Sequence, residues 1–457
     1  MKHRLKWIHI SILLLGSCFI LGGCKEKTSD ELVLRVANCE EYIDEGDWDE
    51  PVELSNGTVV DSDKAMVDAF EDWYYETYGK KVRVEYSTYG TNEDLYNQLT
   101  LGSKFDLVCP SEYMILKMMN EDKVQPFSDA FFDESDENNY YIKGLSPYIR
   151  DVFENLTIDD KRMMDYGAGY MWGSMGVVYN PEKVDEEDLH HWSILLSPKY
   201  NKQVTMKDSI RDSYIVALCV LNEEKFQSKD FLNDPNYGDE LSKALNATDE
   251  ETVNQVEKIL SKMRENAYSL ETDSGKADMV SGKVVANMQW SGDAVYTMDQ
   301  AEEDDFELDF FIPEEASNLW FDGFCMLKDG IGGNKEKQQA AEAFINFISR
   351  PDNVIRNMNY IGYTSAISGG ESEDVLEYVK YCYEDEEGVP YDLSYFFGDE
   401  TVIYVPEEQL HRQLLAQYPT EDVIKRCAVM SYYDKDANKR ISQMWTNIRC
   451  FTFPWEH

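Results

Sequence analysis

From Leu32 onward, apolar runs of strand type alternate with stretches of helical spacing. Leu32-Val33-Leu34-Arg35-Val36 reads as a strand. Met66, Phe70, Trp73 and Thr77 recur at spacings of four, three and four, which predicts a helix with Gly79 placed for a left-handed C-cap. Val82, Val84 and Tyr86 alternate as a second strand, and Thr91 or Asn92 is positioned to cap a helix carrying Leu95 and Leu99. Phe105 to Cys109 is a short strand of the buried type, and Glu112 to Asn120 the helix after it. This alternation predicts an α/β layer with a largely parallel sheet, in which ligands sit beyond the carboxyl ends of the strands. Asn38 to Tyr42, Ser87 to Gly90 and Pro110 to Glu112 are therefore the loops to watch. Later the theme returns: a strand Val204 to Met206, helices Asp208 to Val220 and Thr252 to Asn266, and a strand Val284 to Trp290 followed by Ser291-Gly292-Asp293. A helix over Ala340 to Ser349 is stopped by Pro351. Asp44 to Ser62 and Glu384 to Val405 read as inserted polar segments. The acidic tracts 133–137, 302–305 and 384–387 read as solvated loops without chemistry of their own.

Charge narrows the partners. Lys and Arg number 43 against 88 Asp and Glu, a formal net charge of −45, which excludes nucleic acid and favours cations. At about 150 residues per domain, 457 residues predict two or three domains. Lys2, His3, Arg4 and Lys6 precede an apolar run from Trp7 to Leu21, too short for the roughly 20 residues that span a bilayer. With Leu21-Gly22-Gly23-Cys24 after it, this start resembles a bacterial lipoprotein signal, in which residues 1–23 are removed and Cys24 takes the lipid. A rival site at Cys18 leaves an apolar run of only Trp7 to Leu14. Residues 24–31 would then be a tether. The seven later cysteines, Cys39 to Cys450, have no C-x-x-C spacing and an odd count, which argues for free thiols and against a zinc site.

Catalytic constellations are missing. The sequence contains no G-x-x-x-x-G-K-[ST], H-E-x-x-H or G-x-S-x-G, and Gly167, Gly169 and Gly173 miss the dinucleotide spacing. The six histidines lie in the signal, at the last residue or in polar stretches. No enzyme activity, cofactor or metal is expected. What remains is a set of aromatic residues beside carboxylates in the strand-end loops.

Several segments resemble the bacterial spermidine/putrescine-binding proteins of polyamine ABC transporters. They are Tyr86 to Glu93, Phe105 to Ser111, Trp172 to Val177, Asp208 to Asp212 and Ile361 to Thr364, in order over nearly the whole mature chain. The resemblance implies a two-lobe type II periplasmic-binding fold with the ligand cleft between α/β lobes joined by two crossover strands. Lobe one would hold 32–165 and 319–361, and lobe two 166–318 and 362–457. It further implies a polyamine ligand bound by Glu41, Tyr42, Tyr89, Asp212, Thr272, Trp290, Trp320, Asp322 and Tyr363. The partners would be ABC permease subunits and the membrane through the lipid, with the protein a monomer outside the cytoplasm. The chain departs from the family at Cys39, where a tryptophan is usual, and at Ser209, where an acid is usual. An ammonium over an indole gains roughly 0.5–2 kcal/mol and a carboxylate partner about 1.5–3 kcal/mol, so rings and acids together suit an amine. The alternative is a sugar-binding protein of the same fold or a tethered glycan-active enzyme, with neutral donors and acceptors in place of acids.

Overall fold

The computed structural model describes residues 32–398 and 400–450. The proposed signal, Cys24 and the tether lie outside the described residues. Most of the predicted strands join one twelve-stranded sheet. At one end Leu32–Cys39 runs parallel to both Val82–Tyr89 and Leu107–Val108. At the other, Val204–Lys207 runs parallel to both Ser269–Glu271 and Ala286–Trp290. Helices Met66–Tyr78 and Asn92–Thr100 make the crossovers of the first half; in the second, Ile210–Leu221 and Glu250–Asn266 lie in one crossover and Gly275–Val280 makes the other. Local signals act as their chemistry requires. Gly79 takes φ 65° at a helix C-cap and Thr91 accepts from the Asp94 N–H at an N-cap.

Two long antiparallel strands, Gly167–Tyr179 and Ser317–Leu327, fuse the halves. Gly167 to Ser174 pairs with Leu319 to Cys325 on the first side, while Met175 to Tyr179 pairs with Ala286–Trp290 on the second. Both strands are buried throughout. The glycines that miss a dinucleotide spacing have a packing reason. A Cβ on Gly173 would lie 2.5 Å from the Trp320 ring, and one on Gly169 3.0 Å from Ala366, so bare backbone lets side chains cross the strand.

The chain after Ile361 makes contacts on both sides of the sheet. Thr364–Ser365 pairs with Trp172 and Met171, Phe396 stacks on Trp172 at 5.6 Å, and the Ser146 hydroxyl donates to the Phe396 carbonyl, all on the first side. It also touches the second half, where the Tyr363 hydroxyl donates to Asp293 and the Arg412 and Gln413 side chains donate to Glu302, and it ends there with helix Lys435–Cys450. The inserted polar segment Asp44 to Ser62 has structure of its own. It forms a hairpin, Val52–Glu53 with Val59–Val60, anchored by the buried Asp44. That carboxylate accepts from the Trp48 indole at 3.0 Å and pairs with the Arg356 guanidinium at 2.7 Å.

The described cysteines are all free thiols. Among the described residues no helix is long and apolar enough to cross a membrane. Asp44→Ala would strand a buried guanidinium, and removing one partner of such a pair costs about 3–5 kcal/mol. Urea unfolding of the variant should show that loss; an unchanged midpoint would show that Asp44 anchors nothing.

Candidate ligand-binding cleft

The carboxyl ends of both parallel sets face one cavity of about 3360 Å³. The strands ending at Cys39 and Tyr89 run three residues past the sequence expectation, and their loops deliver Glu41, Tyr42 and Gly90 to Glu93. Ser111 and Glu112 follow the short strand Leu107–Val108 at the start of a helix. From the second half come Asp212, Thr272, Lys276, Trp290 and Asp293.

Asp322, on the long strand Ser317–Leu327, is the centre. Tyr42 donates its hydroxyl to one carboxylate oxygen at 2.8 Å and Ser111 donates to the other at 2.6 Å. Around it the rings close in. Tyr42 meets Tyr363 edge-on at 4.9 Å, and Trp320 lies 5.6 Å from Tyr363 with its indole N–H donating to the Ser174 carbonyl. Burial pushes the Asp322 carboxyl up to about 6, against the Ser111 and Tyr42 hydroxyls that favour its ionised form; the nearby Asp212 charge adds to the rise. Asp212 is likewise raised by burial and opposed by the Ser209 hydroxyl and the Trp290 indole, which bond to its charged form. Ser209, the departure from an acid, thus serves as a donor to Asp212 at 2.5 Å. Among the described residues neither Asp322 nor Asp212 forms an ion pair within 4.0 Å.

The structure thus brings Tyr42, Trp320, Asp322 and Tyr363 into direct contact and sets Asp212 and Trp290 in the wall of the same cavity. Glu41 stands at the mouth in left-handed backbone, φ 52°, and Thr272 lines the cavity while its carbonyl accepts from Lys207. Tyr89 is the exception. Its hydroxyl donates to the Cys109 carbonyl and its ring is buried behind the wall, so it supports the loop instead of lining the cleft.

Four residues escaped sequence reasoning. Asp293 accepts from the Tyr363 hydroxyl at 2.9 Å and faces both Lys207 and Lys276. Burial works against its charge, but the two ammoniums hold its carboxyl below the usual range. Glu112, fully buried behind Asp322, accepts from the Phe321 N–H at 2.9 Å. Both carboxylates sit in the first turn of the helix that follows a predicted strand, Glu112 in a segment already singled out and Asp293 just after the strand ending at Trp290, which is the signal that was available. The acidic tracts 302–305 and 384–387 also prove to border the cavity, contrary to their reading as inert loops.

The match of residues 65–378 to the family of bacterial extracellular solute-binding proteins, most of the chain, decides its kinship. The chain belongs to that family. It is 26% identical over 284 residues to the spermidine/putrescine-binding periplasmic protein of Salmonella typhimurium, spanning 62% of this chain and 70% of the relative. Two solved structures share the fold. The spermidine/putrescine ABC transporter substrate-binding protein of Streptococcus pneumoniae superposes with a TM-score of 0.58 at 24% identity, over 92% of this chain and 98% of its own. A putative spermidine/putrescine ABC transporter protein of Listeria monocytogenes gives 0.61 at 21%, over 92% and 99%. This solute-binding protein therefore has the two-lobe architecture, and binding, not catalysis, is its business.

Burial lifts the Glu112 carboxyl from 4.5 to about 8, with the Asp322 charge adding and the Phe321 N–H opposing. The native state therefore holds a proton that the unfolded chain has released, so stability falls as pH rises through that interval. Glu112→Gln keeps the acceptor and should remove that fall, gaining on the order of 1–3 kcal/mol over the unsubstituted protein between pH 5 and 8. Urea titrations at both pH values check it; parallel pH dependence in the two proteins would contradict the assignment.

Proposed function

We propose that this solute-binding protein is a lipid-anchored, extracytoplasmic polyamine receptor. It captures a small organic cation of the putrescine or spermidine class, closes its lobes on it and delivers it to an ABC permease. The observation that carries the reading is Asp322, a carboxylate without a cationic partner, enclosed by the rings of Tyr42, Trp320 and Tyr363. An ammonium there meets an anion and π faces where little water competes, the setting in which both interactions are strongest. Asp212 and Trp290 approach from the other lobe, so a ligand touching both sides favours the closed form by its differential contacts. Neutral sugars can hydrogen-bond such a carboxylate but bring no charge to balance it. The names of the relatives agree with an amine, and the lipoprotein-like start agrees with tethering at Cys24.

Putrescine or spermidine should raise the melting temperature by mass action, and glucose or maltose should not. Asp322→Asn removes a charge-assisted hydrogen bond of about 1.5–3 kcal/mol, so amine affinity should drop roughly ten- to a hundredfold. Trp320→Ala should abolish the thermal shift. Full amine binding by both variants would refute the site. Because Asp322 titrates near 6, affinity should rise from pH 5 to 7 and then level, with proton release on binding at the acid end. Calorimetry in buffers of different ionisation enthalpy reads that proton directly.

A further inference from the structure

The two anionic poles of the cleft are not equivalent. At the Asp322 pole the carboxylates wait without a cation. At the other pole the chain supplies its own ammoniums. Lys207 Nζ, fully buried, lies 3.2 Å from both Asp293 and Glu271 and donates to the Thr272 carbonyl at 2.9 Å. It also stands 4.3 Å over the Trp290 ring, taking the position a ligand ammonium would take on that face. Lys276 Nζ, whose side chain is 16% exposed, lies 2.6 Å from Asp273, 3.7 Å from Glu41 and 3.8 Å from Asp293. Asp293 is thereby saturated. One oxygen takes the Tyr363 hydroxyl and faces Lys276, and the other faces Lys207.

A polycation long enough to span the cleft would bring its second ammonium up to Lys276. Lys276 is itself largely buried, and like charges brought together beside a buried side chain repel more strongly than they do in open solution. We propose that Lys276 is a specificity-determining residue, a chain-borne ammonium that fills the distal pole and restricts the cleft to amines engaging through one ammonium head. The favoured class is a primary monoamine or a short diamine, and the triamine is disfavoured. Glu41 is consequently a partner of Lys276 before it is a ligand contact. This inference rests on the amine reading above and deepens it.

Titration calorimetry with butylamine, putrescine and spermidine at one fixed salt concentration tests it. The unsubstituted protein should bind putrescine at least as tightly as spermidine, a comparison that needs no variant. Lys276→Gln frees Glu41 and Asp273 and leaves Asp293 with Lys207 as its one ammonium, and should shift the spermidine-to-putrescine affinity ratio toward spermidine by about tenfold or more. Lys276→Arg keeps the charge and should retain the original ratio, which separates electrostatic exclusion from lost packing. A preference for spermidine in the unsubstituted protein, with a ratio that moves less than about twofold in Lys276→Gln, overturns the inference while leaving the amine site intact. If none of the three amines binds the folded protein or either variant, the amine reading falls and this inference with it.

Discussion

Two strands longer than either half of the sheet impose the geometry from which the rest follows. Because Gly167–Tyr179 pairs first with Ser317–Leu327, which carries the first parallel set through Leu107–Val108, and then with Ala286–Trp290 of the second, the two parallel sets point their carboxyl ends at each other. Backbone hydrogen bonding thus decides where the loops go, and the loops carry the polar chemistry. The same strands place Trp320 and Asp322 two residues apart on the wall of the cavity. Glycine at 173 leaves room for the indole that crosses above it.

Within that frame the electrostatics are a contest between desolvation and compensation. Removing a carboxylate from water is expensive unless partners repay it in kind. The chain answers in two ways. Asp293 is compensated by two lysines and Asp44 by an arginine, and these groups stay charged and fixed. Asp322 accepts from two hydroxyls, and Asp212 from a hydroxyl and an indole with the Lys207 and Arg211 charges farther off, enough to orient them but not to overcome the cost of burial. A carboxylate oriented and left short of positive charge is predisposed to take a cation from outside.

Much of this could be read from residue order. Alternation at Val82, Val84 and Tyr86 and the helical spacing from Met66 located the first half, and the strand-end rule located the loops. What escaped was tertiary. Tyr89 looked like a wall residue because the strand was expected to stop at Tyr86; pairing with Leu32–Cys39 carries it on, and the side chain ends up behind the loop. A lone lysine such as Lys207 or Lys276 reads as surface, since the carboxylates that make its burial tolerable come from elsewhere in the chain, Glu271 from a neighbouring strand and Asp293 from the first turn of a helix. The glycines of Gly167–Tyr179 fit no nucleotide spacing because they serve packing, Gly173 making room for the Trp320 ring and Gly169 for Ala366. Acidic tracts carry no periodicity, so nothing local indicated that 302–305 and 384–387, about eighty residues apart, would fold to the same opening.

Those tracts give the opening a character of its own. Glu302 to Asp305 and Glu384 to Glu387 form lips around a shallow well of negative potential, reaching outward only as far as the ionic atmosphere permits, about 8 Å at physiological salt. Cations of every kind will crowd there, sodium and magnesium included. The encounter rate of an organic cation therefore becomes a property of the surrounding medium, fast in dilute water and slowed in brine, while its residence inside, governed by short-range contacts, changes little.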